Sequence, residues 1–403
     1  MKVQSISPQD MLRLADQCVK CGLCLPVCPT YEQTRHEADS PRGRIALIQG
    51  WLTGNLALTA PLIAHLDGCL GCRACEAACP SLVAYGQLAD AAKAHRIAAL
   101  PAWRRWLQYG WLAALSQRHI TDLIGQIASV YRTSGVASLS ERSGLARLSA
   151  LRPYHRMATA LSFTARRLAP HSAPNAALEL FIGCMDASAQ GAVIVAALRV
   201  CERLGLPINT STKSACCGAL LRHNGYPAAA AAHLANCAER HAAQQLIGLT
   251  SACVAELRTS PALQHTTEIC AFLDQVSWPK TLKIKPLPQR VLVHEPCSHR
   301  NLLGGNAAVY QLLARIPELE IIPLPGNDRC CGAAGTYLLQ QPEMATALLN
   351  DKLIAIAAFA PTYLITTNAG CALHIAAGLR EMGLAVEVCH PVELLAQQLD
   401  HDQ

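Results

Sequence analysis

The chain has 403 residues, 51% of them apolar and 20 of them cysteine, with a formal charge of +6. That length allows two or three domains with sizeable cores. Residues 1–100 carry 9 basic and 8 acidic residues, 101–170 carry 10 arginines and 2 acids, and 171–403 carry 15 basic and 18 acidic residues, so the excess sits in one middle segment and no nucleic-acid partner is expected.

The first residues, MKVQSISPQDMLRLADQ, hold no apolar core of a signal peptide. No stretch reaches the roughly 18 apolar residues that a membrane span needs. A cytoplasmic chain is therefore expected, and in a reducing compartment so many thiols point to metal binding or redox chemistry rather than disulfides.

Cys18, Cys21, Cys24 and Cys28 are followed by Pro29, and the same spacing recurs at Cys69, Cys72, Cys75 and Cys79 before Pro80. This is the bacterial ferredoxin run for two [4Fe–4S] clusters. Three cysteines two residues apart wrap one cubane in a tight loop, and the fourth, at the start of a helix, serves the other cluster. The expected ligand sets are Cys18, Cys21, Cys24 and Cys79 for one cluster, and Cys69, Cys72, Cys75 and Cys28 for the other. Pro29 and Pro80 fix φ where the loop turns. Gly22 and Gly71 give the backbone room beside a cluster, and loop amides can donate to the sulfurs. Paired zinc sites fit poorly, because zinc prefers C-x2-C pairs separated by longer loops.

Between the runs, Ser40 and Pro41 read as the N-cap and first residue of a helix. Arg42 and Arg44 behind them either offset cluster charge and dock a partner, or form a solvated helix end. In PAWRRWLQYGWLAALSQ, Trp103, Trp106, Leu107, Trp111, Ala114 and Leu115 share one helical face, with Arg104 and Arg105 off it. Such a face suits a membrane interface or a partner's groove; the alternative is a helix packed on its own domain.

The second half contains an internal repeat of about 115 residues. Cys184, Cys216, Cys217, Cys253 and Cys270 match Cys297, Cys330, Cys331, Cys371 and Cys389 in order and near-equal spacing. Each copy alternates short apolar runs with helical stretches, which implies α/β layers with the cysteines in loops after strands. The doublets Cys216–Cys217 and Cys330–Cys331, each before glycine, present two thiols from one turn. Cys184, Cys216, Cys217 and Cys253, or Cys297, Cys330, Cys331 and Cys371, are candidate ligands of a further iron–sulfur cluster, the alternative being buried structural thiols. Cys270 and Cys389 read as core or as fifth ligands, and Cys201 and Cys237 as core. His294, His299 and His374 flank the cysteines as candidate ligands or proton relays.

The expected organisation is an N-terminal helical two-cluster ferredoxin domain (1–100), a basic helical connector (101–175), and two tandem α/β cysteine-rich CCG repeats (176–285 and 286–403), a mixed α+β and α/β chain. Two ferredoxin runs separated by PRGRI and followed by two CCG repeats, with CCGAAGTYLLQQPEMA at 330–345, resemble the iron–sulfur subunit of bacterial glycolate oxidase. The resemblance is weakest over 101–175. It extends to iron–sulfur subunits of lactate utilisation and of anaerobic glycerol-3-phosphate dehydrogenase, and the CCG repeats are similar to those of heterodisulfide reductases. In the heterodisulfide-reductase type the repeat ends in C-x-x-C; here Cys253 precedes Val254, Ala255 and Glu256, and Cys371 precedes Ala372, Leu373 and His374.

No G-x-G-x-x-G follows a strand and no P-loop is present. The resemblance therefore implies the non-flavin subunit of an oxidoreductase. A FAD-containing dehydrogenase partner would act on a 2-hydroxy acid such as glycolate, and electrons would pass through this chain toward a quinone at the inner face of the membrane. The alternatives are catalysis at a CCG cluster, service to a lactate or glycerol-3-phosphate dehydrogenase, and a metal-free docking scaffold.

Overall fold

The computed structural model describes residues 6–148, 151–160, 171–174, 176–210, 216–241 and 245–399. The chain packs as two compact units, neither of them one continuous stretch. The first comprises Met1–Ala113, Gly218–Ala232 and Asp328–Leu348; the second comprises Ala114–Cys217, His233–Asn327 and Leu349–Gln403.

The first unit is helical. Its helices Pro8–Asp16, Pro29–Thr34, Pro41–Leu52 and Ala60–Asp67 each carry proline in the first two positions. Proline is preset for a helix start and lacks only an amide that would be unpaired there anyway. Ser40 caps Pro41–Leu52, its hydroxyl accepting from the Gly43 amide at 3.0 Å. Met11, Ala15, Ile45, Ile48, Leu88 and Ala91 form the core. It is small for the number of residues it organises, so bound clusters would add a large share of the unit's stability.

The expectation that each fourth cysteine opens a helix holds for Cys28, the N-cap of Pro29–Thr34. It fails for Cys79. There Pro80 and Ser81 form a turn, Leu82 takes φ 51°, and the next helix, Tyr85–Ala98, starts three residues later. The detour carries Val83 and Tyr85 into the core, where they are 3% and 5% exposed.

The helix Ala102–Leu115 also belongs to the first unit. It packs through Leu112 on Leu221 and Ala230, with Tyr109 against Tyr226. Trp103, Trp106 and Leu107 on its other side are 60%, 70% and 67% exposed, and Trp111 is 44% exposed. The tryptophan face is thus not the face that packs.

The second unit holds two parallel sheets of the same design. In chain order the strands are β1 (Leu178–Phe181), β2 (Ile208–Thr210), β3 (Gln245–Gly248), β4 (Thr267–Glu268), β5 (Arg290–Val293), β6 (Glu320–Pro323), β7 (Tyr363–Ile365) and β8 (Glu387–Cys389). The sheets run β2-β1-β3-β4 and β6-β5-β7-β8, every neighbouring pair parallel. The central strands read as apolar runs because helices cover both faces. A single core runs through both copies, with the helices Gly191–Arg203 and Pro391–Gln398 packed together in it. The α/β repeat expected from the sequence is therefore the observed architecture.

Cys201, Cys270 and Cys389 lie in that core. Burial pushes the Cys201 and Cys237 thiols up to about 12 and those of Cys270 and Cys389 well above the ordinary value. Glu268, Cys270 and His390 approach one another, but the Glu268 carboxylate accepts from the Cys270 and Ala271 amides, while His390 Nδ1 accepts from the Val392 amide. These groups cap helices.

Candidate iron–sulfur site

Both ferredoxin loops rely on left-handed backbone. Gly22 has φ 87° and Gly71 φ 65°, and Lys20 and Arg73 beside them also take positive φ. Bending each loop this sharply turns successive thiols toward one centre. Cys18, Cys21, Cys24 and Cys79, together with Cys75, line a common cavity that is partly open to solvent. Cys28, Cys69, Cys72 and Cys75 converge on a second centre. Burial and then the facing Cys72, Cys69 and Cys28 sulfurs push the Cys75 thiol far up. The eight thiols of the two runs thus lie together, with Cys75 lining the first cavity as well as facing Cys72, Cys69 and Cys28, and Cys28 also acting on Cys24. Backbone donors reach the sulfurs, with the Gly71 amide 3.4 Å from Cys69 Sγ.

The two arginines behind Ser40 diverge. Arg42 is paired with Glu37 at 2.6 Å, donates to the Lys20 carbonyl and is 30% exposed. Its backbone amide faces Cys24. Arg44 is 2% exposed. Its Nε donates to the His65 carbonyl at 2.7 Å, its Nη1 to Thr30 Oγ1 at 3.0 Å, and its Nη2 lies 3.6 Å from Asp39. Burial opposes the Arg44 charge, yet the facing Tyr85, Cys69, Cys28 and Asp39 hold its pKa above the ordinary arginine value. A solvated helix end does not describe Arg44.

Two buried polar atoms beside the second set lack a hydrogen-bond partner, Arg44 Nη2 and the Tyr85 hydroxyl. Unpaired buried donors are costly unless a bound group accepts from them. The Tyr85 hydroxyl lies beside Cys69, and burial and that sulfur raise its pKa. A buried cation and a buried hydroxyl beside these thiols fit a sulfide-bearing cluster, which is negatively charged.

Two segments from the repeat complete the first unit. Arg329 lies 3.6 Å from Glu32. The Tyr337 hydroxyl donates to the Gly68 carbonyl at 3.0 Å, and burial pushes its pKa well above the ordinary tyrosine value, with Arg44 opposing and Cys69 and Cys330 adding to the rise. The Tyr337 hydroxyl is therefore near both Cys69 of the second run and Cys330 of the CCG doublet. Sequence reasoning missed both Tyr85 and Tyr337, whose only signal is an aromatic close in sequence to a cysteine motif.

In the second unit the first-copy cysteines come together at the C-terminal ends of parallel strands. Cys184 follows β1, Cys216 and Cys217 follow β2, and Cys253 follows β3. Cys184 faces Cys216 and Cys253, and Cys217 faces Cys216 and Cys253. Hydrogen bonding to Cys216 and burial raise Cys184 well above the ordinary value; for Cys217, Cys216, Cys253 and burial do the same. Mutual proximity of thiols disfavours ionising them all, and a metal relieves that cost. The Gly183 position is tight, since a Cβ there would stand 3.3 Å from Cys253 Sγ and 3.1 Å from an Asp186 oxygen. Asp186 is buried and accepts from Thr250 and from the Gly183 amide, joining the loops after β1 and β3.

In the second copy, Cys330 and Cys331 belong to the first unit, and Cys297 and Cys371 to the second. Cys297 opens a short helix after β5, and Asn368 after β7 caps the helix of Cys371 by accepting from its amide. His294 is bonded to Thr366 at 3.0 Å and His299 to Thr367 at 2.7 Å. Burial and nearby cations lower them to about 3 and about 4. Both imidazoles are thereby kept neutral. His374 is buried on the Cys371 helix.

The glycine of each CCG motif has one structural task. Gly218 has φ 89° and Gly332 φ 91°, and a Cβ on either would stand 2.9 Å or 2.7 Å from the carbonyl oxygen of Ala230 or Ala345. Each CCG glycine is pressed against a following helix where only glycine fits.

Comparison with known proteins agrees with this geometry. The family model described as a 4Fe-4S dicluster domain matches residues 14–95, and the model described as a cysteine-rich domain matches 178–258 and 291–376. The chain is 28% identical to the "Probable glycolate oxidase iron-sulfur subunit" of Bacillus subtilis (strain 168), over 95% of this chain and 94% of that protein. It is 28% identical to the "Glycolate oxidase iron-sulfur subunit" of Escherichia coli (strain K12), over 96% and 94%. A "Lactate utilization protein A" of Exiguobacterium is 26% identical over 55% of this chain and 97% of its own length. Among the described residues no helix is long and apolar enough to cross a membrane. The chain is an iron–sulfur protein that joins a 4Fe-4S dicluster domain to two cysteine-rich CCG domains, and over nearly its whole length it is similar to glycolate oxidase iron–sulfur subunits.

Proposed function

We propose that this chain is the electron-transfer subunit of a flavin-dependent 2-hydroxy-acid dehydrogenase, with glycolate as the substrate of the complex. The observation that carries the reading is the convergence of the eight thiols of the two runs, around a solvent-open cavity lined by Cys18, Cys21, Cys24, Cys75 and Cys79 and around the buried Cys75 that faces Cys72, Cys69 and Cys28. A [4Fe–4S] cluster, when bound, accepts and releases one electron at a time. Cys18, Cys21, Cys24 and Cys79 would hold the outer cluster, and Cys28, Cys69, Cys72 and Cys75 the inner one. The substrate is oxidised on a FAD-containing partner, and this chain's residues hold the carriers at fixed positions and shield the inner one from water. Cys184, Cys216, Cys217 and Cys253 would hold a further cluster on the way to a quinone-type acceptor. The exposed Trp103, Trp106 and Trp111, beside Arg104 and Arg105, suit peripheral contact with an anionic membrane surface.

Iron and sulfide analysis of anaerobically purified protein tests the ligand assignments. About eight irons per chain are expected for the dicluster part alone, and about twelve with a CCG cluster. Addition of the flavoprotein partner and glycolate should bleach the clusters and produce the EPR signal of reduced [4Fe–4S]. A colourless or zinc-filled preparation, or no reduction by any 2-hydroxy acid in the presence of the partner, refutes the reading.

A further inference from the structure

The surroundings of the two thiol sets differ in a way that the ligands do not. The cation next to the first set, Arg42, faces solvent and is neutralised by Glu37 at 2.6 Å. Water screens what remains of its field. The cation next to the second set, Arg44, is 2% exposed, and Asp39 opposite it stands at 3.6 Å, further than a close ion pair. Asp39 is also shared with His65 Nδ1 at 2.9 Å, which leaves Arg44 less fully compensated. The Tyr85 hydroxyl lies near Arg44 and within hydrogen-bonding reach of the Cys69 sulfur.

Reduction adds one negative charge to a cluster and its thiolates. A buried cation and a hydroxyl donor both favour the more negative state, and both act strongly where water is excluded. Resting on the electron-transfer reading above, we propose that Arg44 and Tyr85 are positioning residues that hold the inner cluster, on Cys28, Cys69, Cys72 and Cys75, at a higher reduction potential than the outer one. The ferredoxin unit then has a built-in direction. An electron arriving at the outer, solvent-open cluster settles on the inner one, whose ligand Cys69 lies near Tyr337. The step is a transfer of one electron between two carriers of the same kind, with no proton or bond change at either.

The test is an EPR-monitored redox titration of the cluster-loaded full chain, wild type against Tyr85→Phe, Arg44→Gln and Arg42→Gln. Tyr85→Phe removes one oxygen from a buried ring, so the fold is kept. Two one-electron waves are expected in the wild type. Tyr85→Phe should lower only the upper wave, by a threefold to tenfold change in the reduction constant, tenfold being about 59 mV for one electron. Arg44→Gln should lower the same wave further, and Arg42→Gln should leave it in place. An upper wave unmoved by Tyr85→Phe, or movement of the lower wave instead, overturns the inference while the two waves leave the electron-transfer reading standing. Absence of both waves overturns the two together.

Discussion

Replacing Gly332 by alanine should cost about 2–4 kcal/mol, most of it through one contact. Two terms add. Alanine at φ 91° sits in the left-handed region, which costs an L-residue roughly 1–2 kcal/mol, partly offset by about 0.4–1 kcal/mol from a less flexible unfolded chain. The new methyl would then stand 2.7 Å from the Ala345 carbonyl oxygen and 3.0 Å from its Cα. Both are backbone atoms of a helix and cannot rotate away, so the Cys330–Cys331 turn or the helix must shift. Forced repacking of this kind costs about 1–3 kcal/mol. Gly54→Ala is the internal control, because φ is 78° there and nothing lies within 4 Å of the added Cβ. It should lose only the conformational term, under about 1.5 kcal/mol. Urea denaturation of the three proteins under anaerobic conditions measures the difference, and Gly218→Ala should behave like Gly332→Ala. If Gly332→Ala is no less stable than Gly54→Ala, the close approach is not what the CCG glycine serves.

Three further outcomes follow from the structure. Glu381 pairs with Arg156 and Arg152, and Arg156 is 7% exposed, so Glu381→Ala removes charge-assisted contacts to a buried cation and should cost about 1.5–3 kcal/mol by urea denaturation; the exposed Arg13–Asp10 pair should be dispensable. His390 is lowered to about 3 by burial, so the folded state refuses a proton that the unfolded chain accepts below about 6.5, and this group's contribution to stability falls as pH drops through that window. Glu268, raised to about 7 by burial, works in the opposite sense between its ordinary value and 7. His390→Asn keeps a cap for Val392 and removes only the first effect, so relative to wild type it should gain about 2 kcal/mol between pH 6.5 and 5, measured by denaturant midpoints at the two pH values. Serine at Trp103, Trp106 and Trp111 together should abolish sedimentation with anionic vesicles without changing cluster content; undiminished binding would refute the membrane role of that face.

Much of this molecule is legible in one dimension. Two cysteine runs of equal spacing define the dicluster chemistry, because a loop that must wrap a cubane leaves little freedom in which residues carry thiols. Five cysteines matched across two copies announce a duplicated α/β unit, and the sheets β2-β1-β3-β4 and β6-β5-β7-β8 repeat one order. Ser40 and Pro41 locate a helix start from two residues, since capping is a local interaction. The order of chain elements says nothing about which side chain a cluster meets beyond its ligands. Arg42 and Arg44 are two residues apart in one helix, yet a turn of about 200° between them sends one to solvent and the other into the core. Tyr85 and Tyr337 carry no motif, and they reach Cys69 only because the chain folds back on itself over long separations. The placement of 218–232 and 328–348 within the first unit is likewise a product of packing, where Gly218 and Gly332 approach the Ala230 and Ala345 backbone closely. Ligand spacing is a local property that sequence can specify. Field, burial and proximity are sums over the whole fold, and only the tertiary structure settles them.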